Sequence, residues 1–189
     1  EYIDIHHAGT AMRFLTALLA IKTNKKFVIT GSQRMKERPI KILVQALNKL
    51  GANISYFDKK GFPPLIIKGQ EIFGGEISLS SNISSQYISA LMLIAPILKN
   101  GLLINLEGKI TSKPYLEMTL AILKKIGINC YFKNNIISIE HCSKINNSAI
   151  SIESDWSSVS YFYSIVALSN AAELNIGTFY KSSIQGDVK

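Results

Sequence analysis

A short run of residues near position 51 returns 76 positions later, and this repetition limits the possible folds more than any other feature of the chain. Gly51-Ala-Asn-Ile-Ser-Tyr-Phe57 is echoed by Gly127-Ile-Asn-Cys-Tyr-Phe132. Each run follows an amphipathic segment that opens with a basic residue and proline, Arg38-Pro39 and Lys113-Pro114. Proline suits a first helical turn, where its missing N–H would have no partner anyway. Glycine just past the last turn is the matching stop signal. The upstream halves repeat as well. Gly9-Thr10 opens the apolar run 11–21, Ser84-Ser85 opens 87–98, and Ser157-Ser158 opens 161–168. Thr10, Ser85 and Ser158 lie 75 and 73 residues apart. Self-similarity at a fixed period marks a structure assembled from one supersecondary unit.

Between these helices lie short β-type segments at 27–30, 53–57, 65–68, 76–79, 102–106, 129–132, 136–139, 150–152 and 174–176, with 2–5 as a possible opening strand. Each unit reads βαβαββ, and about two and a half units are present, so the chain is expected to be α/β. A lone dinucleotide-binding sheet fits poorly, because no Gly-x-Gly-x-x-Gly follows a strand. The run 85–98 has no ionisable side chain except Tyr87, and 159–168 none except Tyr161 and Tyr163. A helix apolar all round is a buried helix. Buried helices inside and sheets outside are therefore expected, the reverse of the common layered arrangement.

Apolar residues make up 47% of the chain, enough for a core and too many for a disordered segment. Two cysteines, Cys130 and Cys142, exclude a disulfide scaffold, and no Cys/His spacing suggests a metal. The longest apolar run, 90–98, is too short to span a bilayer. No secretion leader is visible, so the cytoplasm is the expected location. The first residue is Glu1 rather than Met, and the chain is expected to be a piece of a longer protein.

The formal charge is +8, which suggests an anionic partner. Lysines are scattered as singles and pairs without a basic run, which argues against nucleic acid. Against 18 lysines stand only three arginines, Arg13, Arg34 and Arg38, all in one 26-residue window. A planar bidentate fork suits carboxylate and phosphate. Helix starts at Thr10, Ser84-Ser85 and Ser157-Ser158 would add open N–H groups and a partial positive charge, and together they predict an anion pocket. Gly9 would let a ligand approach the backbone or serve a helix-entry turn that needs glycine dihedrals, and Gln86 could donate its amide or merely cap. His6-His7 reads as a strand-to-helix junction, and Trp156 as packing first and ligand contact second.

Taken together, His7-Ala-Gly-Thr-Ala-Met-Arg13, Arg34-Met-Lys-Glu-Arg-Pro39, Phe62-Pro-Pro-Leu65, Ser84-Ser-Gln86, Ser112-Lys-Pro-Tyr115, Asp155 with Ser157-Ser158, Ser160-Tyr-Phe162 and Gln185-Gly-Asp187 resemble the 5-enolpyruvylshikimate-3-phosphate synthase family, in family order along the whole chain. The resemblance implies an inside-out α/β barrel of the enolpyruvyl transferase type, incomplete here. Residues 1–152 would be most of the first domain, two of its three repeats, and 153–189 the start of the second. The implied reaction moves the enolpyruvyl group of phosphoenolpyruvate to the 5-hydroxyl of shikimate 3-phosphate and releases phosphate, a step toward chorismate and the aromatic amino acids. It needs neither a metal nor an organic cofactor.

By the same resemblance, Gly9, Thr10, Arg38 and Gln86 would bind phosphoenolpyruvate. Ser84, Ser85, Gln86, Ser112 and Tyr115 would bind shikimate 3-phosphate. The family's proton-transfer residues fall outside this chain, so no general acid or base is assigned. A monomeric full-length enzyme with small-molecule substrates, no nucleic acid and no membrane is implied, and this chain alone is expected to be inactive. His7 stands where the family has asparagine, Phe14 where many members have proline, Ser154 where glycine is usual, and Trp156 where a small residue is usual. Two other readings compete: the sister transferase acting on a uridine-diphosphate amino sugar, and a non-catalytic anion-binding module.

Overall fold

A computed structural model describes residues 1–110, 112–145, 147–180 and 183–186. Two four-stranded sheets follow one plan. The first combines β1 (Tyr2–Asp4), β2 (Lys26–Thr30), β3 (Asn53–Tyr56) and β4 (Leu65–Lys68), in the order β1-β2-β4-β3. The second combines β5 (Gly75–Ser80), β6 (Leu102–Glu107), β7 (Cys130–Lys133) and β8 (Ile136–Ile139), in the order β5-β6-β8-β7. In both, the first pair is parallel and the rest antiparallel. Tyr2 faces Val28 in one sheet, and Gly75 faces Leu102 in the other. The parallel pairs enclose α1 (Gly9–Ala20) and α4 (Ser85–Ile94), whereas α3 (Lys41–Lys49) and α5 (Lys113–Lys125) lead into the hairpins. The βαβαββ unit read from the sequence is thus present twice.

Strand chemistry sets which face is inward. Ile77 and Leu79 are buried while Glu76, Ser78 and Ser80 between them are exposed, the alternation of a half-buried strand. The inward faces meet helices. Helix α4 packs on α1, α3 and α5, and Ile88, Leu91, Met92 and Ile94 in it are buried. Each such side chain contributes about 1.5–3 kcal/mol by leaving water. Helices inside and sheets outside is the observed arrangement.

The two hairpin-leading helices end alike. After α3, Gly51 (φ +106°) donates its N–H to Asn48 and Ala52 donates to Leu47; after α5, Gly127 (φ +88°) donates to Lys124 and Ile128 to Leu123. That pair of bonds needs a residue at positive φ, which glycine supplies without a Cβ penalty.

Several expectations are corrected. Helix α3 starts at Lys41, so Pro39 precedes it; the four-residue helix α2 (Gln33–Lys36) occupies the segment before, and Arg38-Pro39 bridges the two. The run 87–98 is not one helix, because α4 gives way to a 3₁₀ turn, Ala95–Ile97, at Pro96, which has no N–H to continue the ladder. Segments 150–152 and 174–176 are not strands; among the described residues no neighbouring strand pairs with them. Helix α6 (Trp156–Leu168) forms as expected but is not buried: only Val159 is, while Tyr161 is 75% and Leu168 87% exposed. An apolar helix is covered only when sheet and helix neighbours reach every side, and no described element packs along this one.

Candidate functional site

The start of α1 is open in a specific way. Its cap residue, Ala8, offers no side-chain acceptor, and no acidic residue lies in the first turn. The first-turn amides therefore have no capping side chain and carry the positive end of the helix dipole. Gly9 opens the helix, and two guanidinium groups crowd against it. A Cβ on Gly9 would collide with Arg38 Nη1 and lie 2.8 Å from Arg13 Nη1. Arg13 is nearly buried, donates from Nη1 to the Gly9 carbonyl at 2.7 Å, and lies over the Tyr87 ring, 5.6 Å from its centroid. Its Nε is buried without a partner.

The second helix start meets the first. Gln86 Nε2 donates to Thr10 Oγ1 at 3.1 Å. Ser84 caps α4 by accepting from the Gln86 N–H, and Ser85 is the first helical residue, so both sit within two residues of that contact. Behind them the Tyr87 hydroxyl donates to the Pro39 carbonyl at 2.6 Å. Gly9, Thr10, Arg38 and Gln86 are thereby brought together from α1, α4 and the connection before α3.

Ser112 and Tyr115 are less tightly tied to this group. Ser112 is the cap residue of α5 and makes no side-chain cap bond, and Tyr115, 39% exposed, stands in the first turn. Helix α5 packs against α4, with Thr119 Oγ1 donating to Ser89 Oγ at 3.1 Å.

The third expected start carries its own cap, and it shares a groove with Tyr115. Asp155 caps α6, with its Oδ1 accepting from the Ser157 N–H at 3.1 Å and its Oδ2 from the Ser158 hydroxyl at 2.5 Å. The Ser158 hydroxyl above all, with the backbone N–H groups of Ser157 and Ser158, holds this carboxyl below the usual range despite some desolvation. A helix start that brings its own carboxylate is less open to an external anion than the start of α1, which has no capping side chain. Of the Gln185-Gly-Asp187 motif, Asp187 lies outside the described residues.

An open cleft beside Gly9 is lined by His7, Arg34, Met35, Glu37, Arg38 and Pro39. Ser32 Oγ and His7 Nδ1 are 2.8 Å apart, and Ser32 also caps α2 by accepting from Met35 N–H. Among the described residues no ion pair involves an arginine; the three pairs found join Lys25–Glu1, Lys99–Glu71 and Lys113–Glu117 at the surface. Glu37 lines the same cleft but, among the described residues, makes no ion pair with Arg34 or Arg38, which leaves the guanidinium groups available to an external anion. A second groove runs between α5 and the segment around Ile152, lined among others by Tyr115, Lys125, Asp155 and Ser157. Among the described residues no group of three or more His, Cys, Asp or Glu is arranged to hold a metal, and no helix is long and apolar enough to cross a membrane.

The sequence placed Arg13 only among the three clustered arginines, without a ligand contact of its own, and gave Tyr87 no role. The signal for Arg13 was present: it stands four residues after Gly9, on the same helix face. For Tyr87 there was none, because its partner is 48 residues away.

A family model described as EPSP synthase (3-phosphoshikimate 1-carboxyvinyltransferase) matches residues 1–189. The chain belongs to the EPSP synthase family. A relative from Bacteroides fragilis (strain YCH46), named 3-phosphoshikimate 1-carboxyvinyltransferase, is 48% identical over 187 residues, covering 99% of this chain and 45% of the relative. One of the same name from Histophilus somni (strain 2336) is 42% identical, over 96% of this chain and 42% of its own length. The solved EPSP synthase from Acinetobacter baumannii superposes with a TM-score of 0.70 at 25% identity, covering 85% of this chain and 35% of that one. This EPSP synthase family chain therefore spans a little under half the length of the curated relatives it matches, and its inside-out α/β arrangement is that of the family.

Proposed function

We propose that the intact protein carrying this chain transfers the enolpyruvyl group of phosphoenolpyruvate to the 5-hydroxyl of shikimate 3-phosphate and releases inorganic phosphate. The observation that carries the reading is the position of Arg38: its guanidinium lies against Gly9 at the uncapped start of α1, with no carboxylate partner among the described residues. A phosphate or carboxylate there would meet a bidentate donor and open backbone amides at once.

In this reading Arg38, the first-turn amides at Gly9 and Thr10, and Gln86 hold phosphoenolpyruvate. Ser84, Ser85 and Gln86, with Ser112 and Tyr115 from the next helix, hold shikimate 3-phosphate. Gln86 stands between the two groups and would give up its bond to Thr10 to reach a ligand. These residues bind, orient and neutralise charge, and such preorganised donors favour a transition state that gathers negative charge. Proton transfer belongs to groups outside this chain.

The reading divides the chain into most of a first domain, 1–152, and the start of a second, 153–189. The exposed α6 fits a domain begun but not enclosed by these residues. Cytoplasmic residence, a monomeric state and no nucleic-acid partner are those expected of the family.

Phosphate release by the intact protein tests the reading. Release should require phosphoenolpyruvate and shikimate 3-phosphate together, and the isolated 189-residue chain should stay at background. Release with a uridine-diphosphate amino sugar instead, or with neither acceptor, counts against it.

A further inference from the structure

We propose that Tyr87 is a positioning residue for the anion cradle, its hydroxyl fixing the chain that carries Arg38 and its ring seating Arg13. The inference rests on the function proposed above, since it concerns how that same cradle is held.

Helix α4 is the interior helix, and Tyr87 is its single ionisable residue. At 8% exposed, its hydroxyl needs a partner inside the protein. That partner is the carbonyl of Pro39, at 2.6 Å and 48 residues distant, the residue next to Arg38. The carbonyl is accessible because α3 takes its first helical bond at Ile40, where Val44 N–H donates, leaving Pro39 outside the ladder. One bond thus ties the first turn of α4 to the connection bearing Arg38.

The ring does a second task. The Arg13 guanidinium lies over it at 5.6 Å, and the same Arg13 donates to the Gly9 carbonyl at 2.7 Å. Two cations held close to one glycine repel each other. The Arg38 guanidinium makes no hydrogen bond or ion pair among the described residues; its backbone is held by its own N–H, which donates to the Met35 carbonyl at 3.1 Å, and by the Tyr87 bond to the next residue. Tyr87 contacts both arms: Arg13 through the ring face, Arg38 through the Pro39 carbonyl. Phenylalanine would keep the first and lose the second.

The experiment compares the intact wild-type protein with Tyr87→Phe, Tyr87→Leu and Arg38→Ala. It reads steady-state constants for both substrates, the dissociation constant of inorganic phosphate by calorimetry, and the melting temperature. For Tyr87→Phe the KM for phosphoenolpyruvate should rise about three- to tenfold, the range of one buried hydrogen bond. Its kcat and the KM for shikimate 3-phosphate should stay within about twofold, below the effect of one lost hydrogen bond. The component of phosphate binding that Arg38→Ala removes should weaken by the same factor, and more in Tyr87→Leu, which also loses the seat of Arg13.

An unchanged KM and phosphate affinity in Tyr87→Phe would overturn the proposal. So would a uniform fall in all constants with a lowered melting temperature, which marks a purely structural residue. So would phosphate binding that does not depend on Arg38. Should the wild type bind phosphate through Arg38 yet release none from the two substrates, the proposed reaction fails while the phosphate comparison still decides on Tyr87.

Discussion

The side-chain amide of Gln86 donates to Thr10 Oγ1 at 3.1 Å, joining the first turns of two helices that are 76 residues apart in the chain. The two helices hold equivalent places in successive repeats, so the bond marks where repetition turns into a site. Duplicated units of one topology put their first helices side by side, and side-by-side helices of one direction put their amino ends together. Dipole, open amides and hydroxyls then add at a single spot. The arginines come from a different place, the connection after β2 and the buried position 13 one turn into α1, and they supply the formal charge.

Gln86→Glu keeps the shape of this side chain and reverses its effect on anions. The intact protein should retain its melting temperature within a few degrees, since the residue is only partly buried. Affinity for both phosphoenolpyruvate and shikimate 3-phosphate should fall by about tenfold or more at pH 7, the scale of one charge-assisted hydrogen bond lost. Calorimetric titration with each ligand checks it, and a variant that binds both as wild type does would remove Gln86 from the site.

Arg38→Ala should raise the KM for phosphoenolpyruvate by about 10- to 100-fold, because a hydrogen bond to a charged group contributes about 1.5–3 kcal/mol. Arg38→Lys should recover only a small part, since an ammonium is a point charge without the planar fork. Steady-state kinetics on the two variants give the comparison, and full recovery by lysine would show that charge alone is read there.

Gly9→Ala is a test of space rather than charge. The φ of Gly9 is outside the left-handed region, so alanine meets no backbone strain there. Its Cβ would collide with Arg38 Nη1 and lie 2.8 Å from Arg13 Nη1, both far ends of flexible side chains, so the fold should survive while the two guanidinium groups shift. Phosphoenolpyruvate affinity should fall several-fold more than shikimate 3-phosphate affinity. Equal losses for the two ligands would mean that Gly9 and Arg38 serve the site as a whole.

The repeat was legible because its markers are local chemistry. Gly51 and Gly127 stop helices through their own φ, and Pro114 starts one through its missing N–H; each acts within a few residues. Thr10, Gln86 and Arg38 were legible as members of a site through motif and resemblance, while their meeting point needed the packing of α4 on α1. The burial of α6 was not legible. Its composition says that it can be covered on every side, yet cover comes from other elements, and none among the described residues packs along it. The end of α4 at Ile94 was missed although Pro96 announces it, because the apolar run continues past the proline.

Asp155 yields a prediction whose sign can be worked out. Its carboxyl caps α6 and is held below the usual carboxylate range, chiefly by the Ser158 hydroxyl. A folded-state value below the unfolded one means that the cap stabilises the helix start fully above the unfolded carboxylate range. That contribution is lost as pH falls through the lower folded value. No change is therefore expected between pH 6 and pH 8, and loss is expected only in acid. The Ser157 amide, which donates to Asp155 Oδ1, is a direct reporter. In a nitrogen–proton correlation spectrum its shift should titrate with a midpoint below that of an ordinary aspartate, about 3.9. Asp155→Asn keeps an acceptor at the cap without a titrating group, so in that variant the acid-induced movement of the Ser157 signal should largely vanish. A midpoint at or above the ordinary value would show that the Ser158 hydroxyl does not stabilise the charged cap.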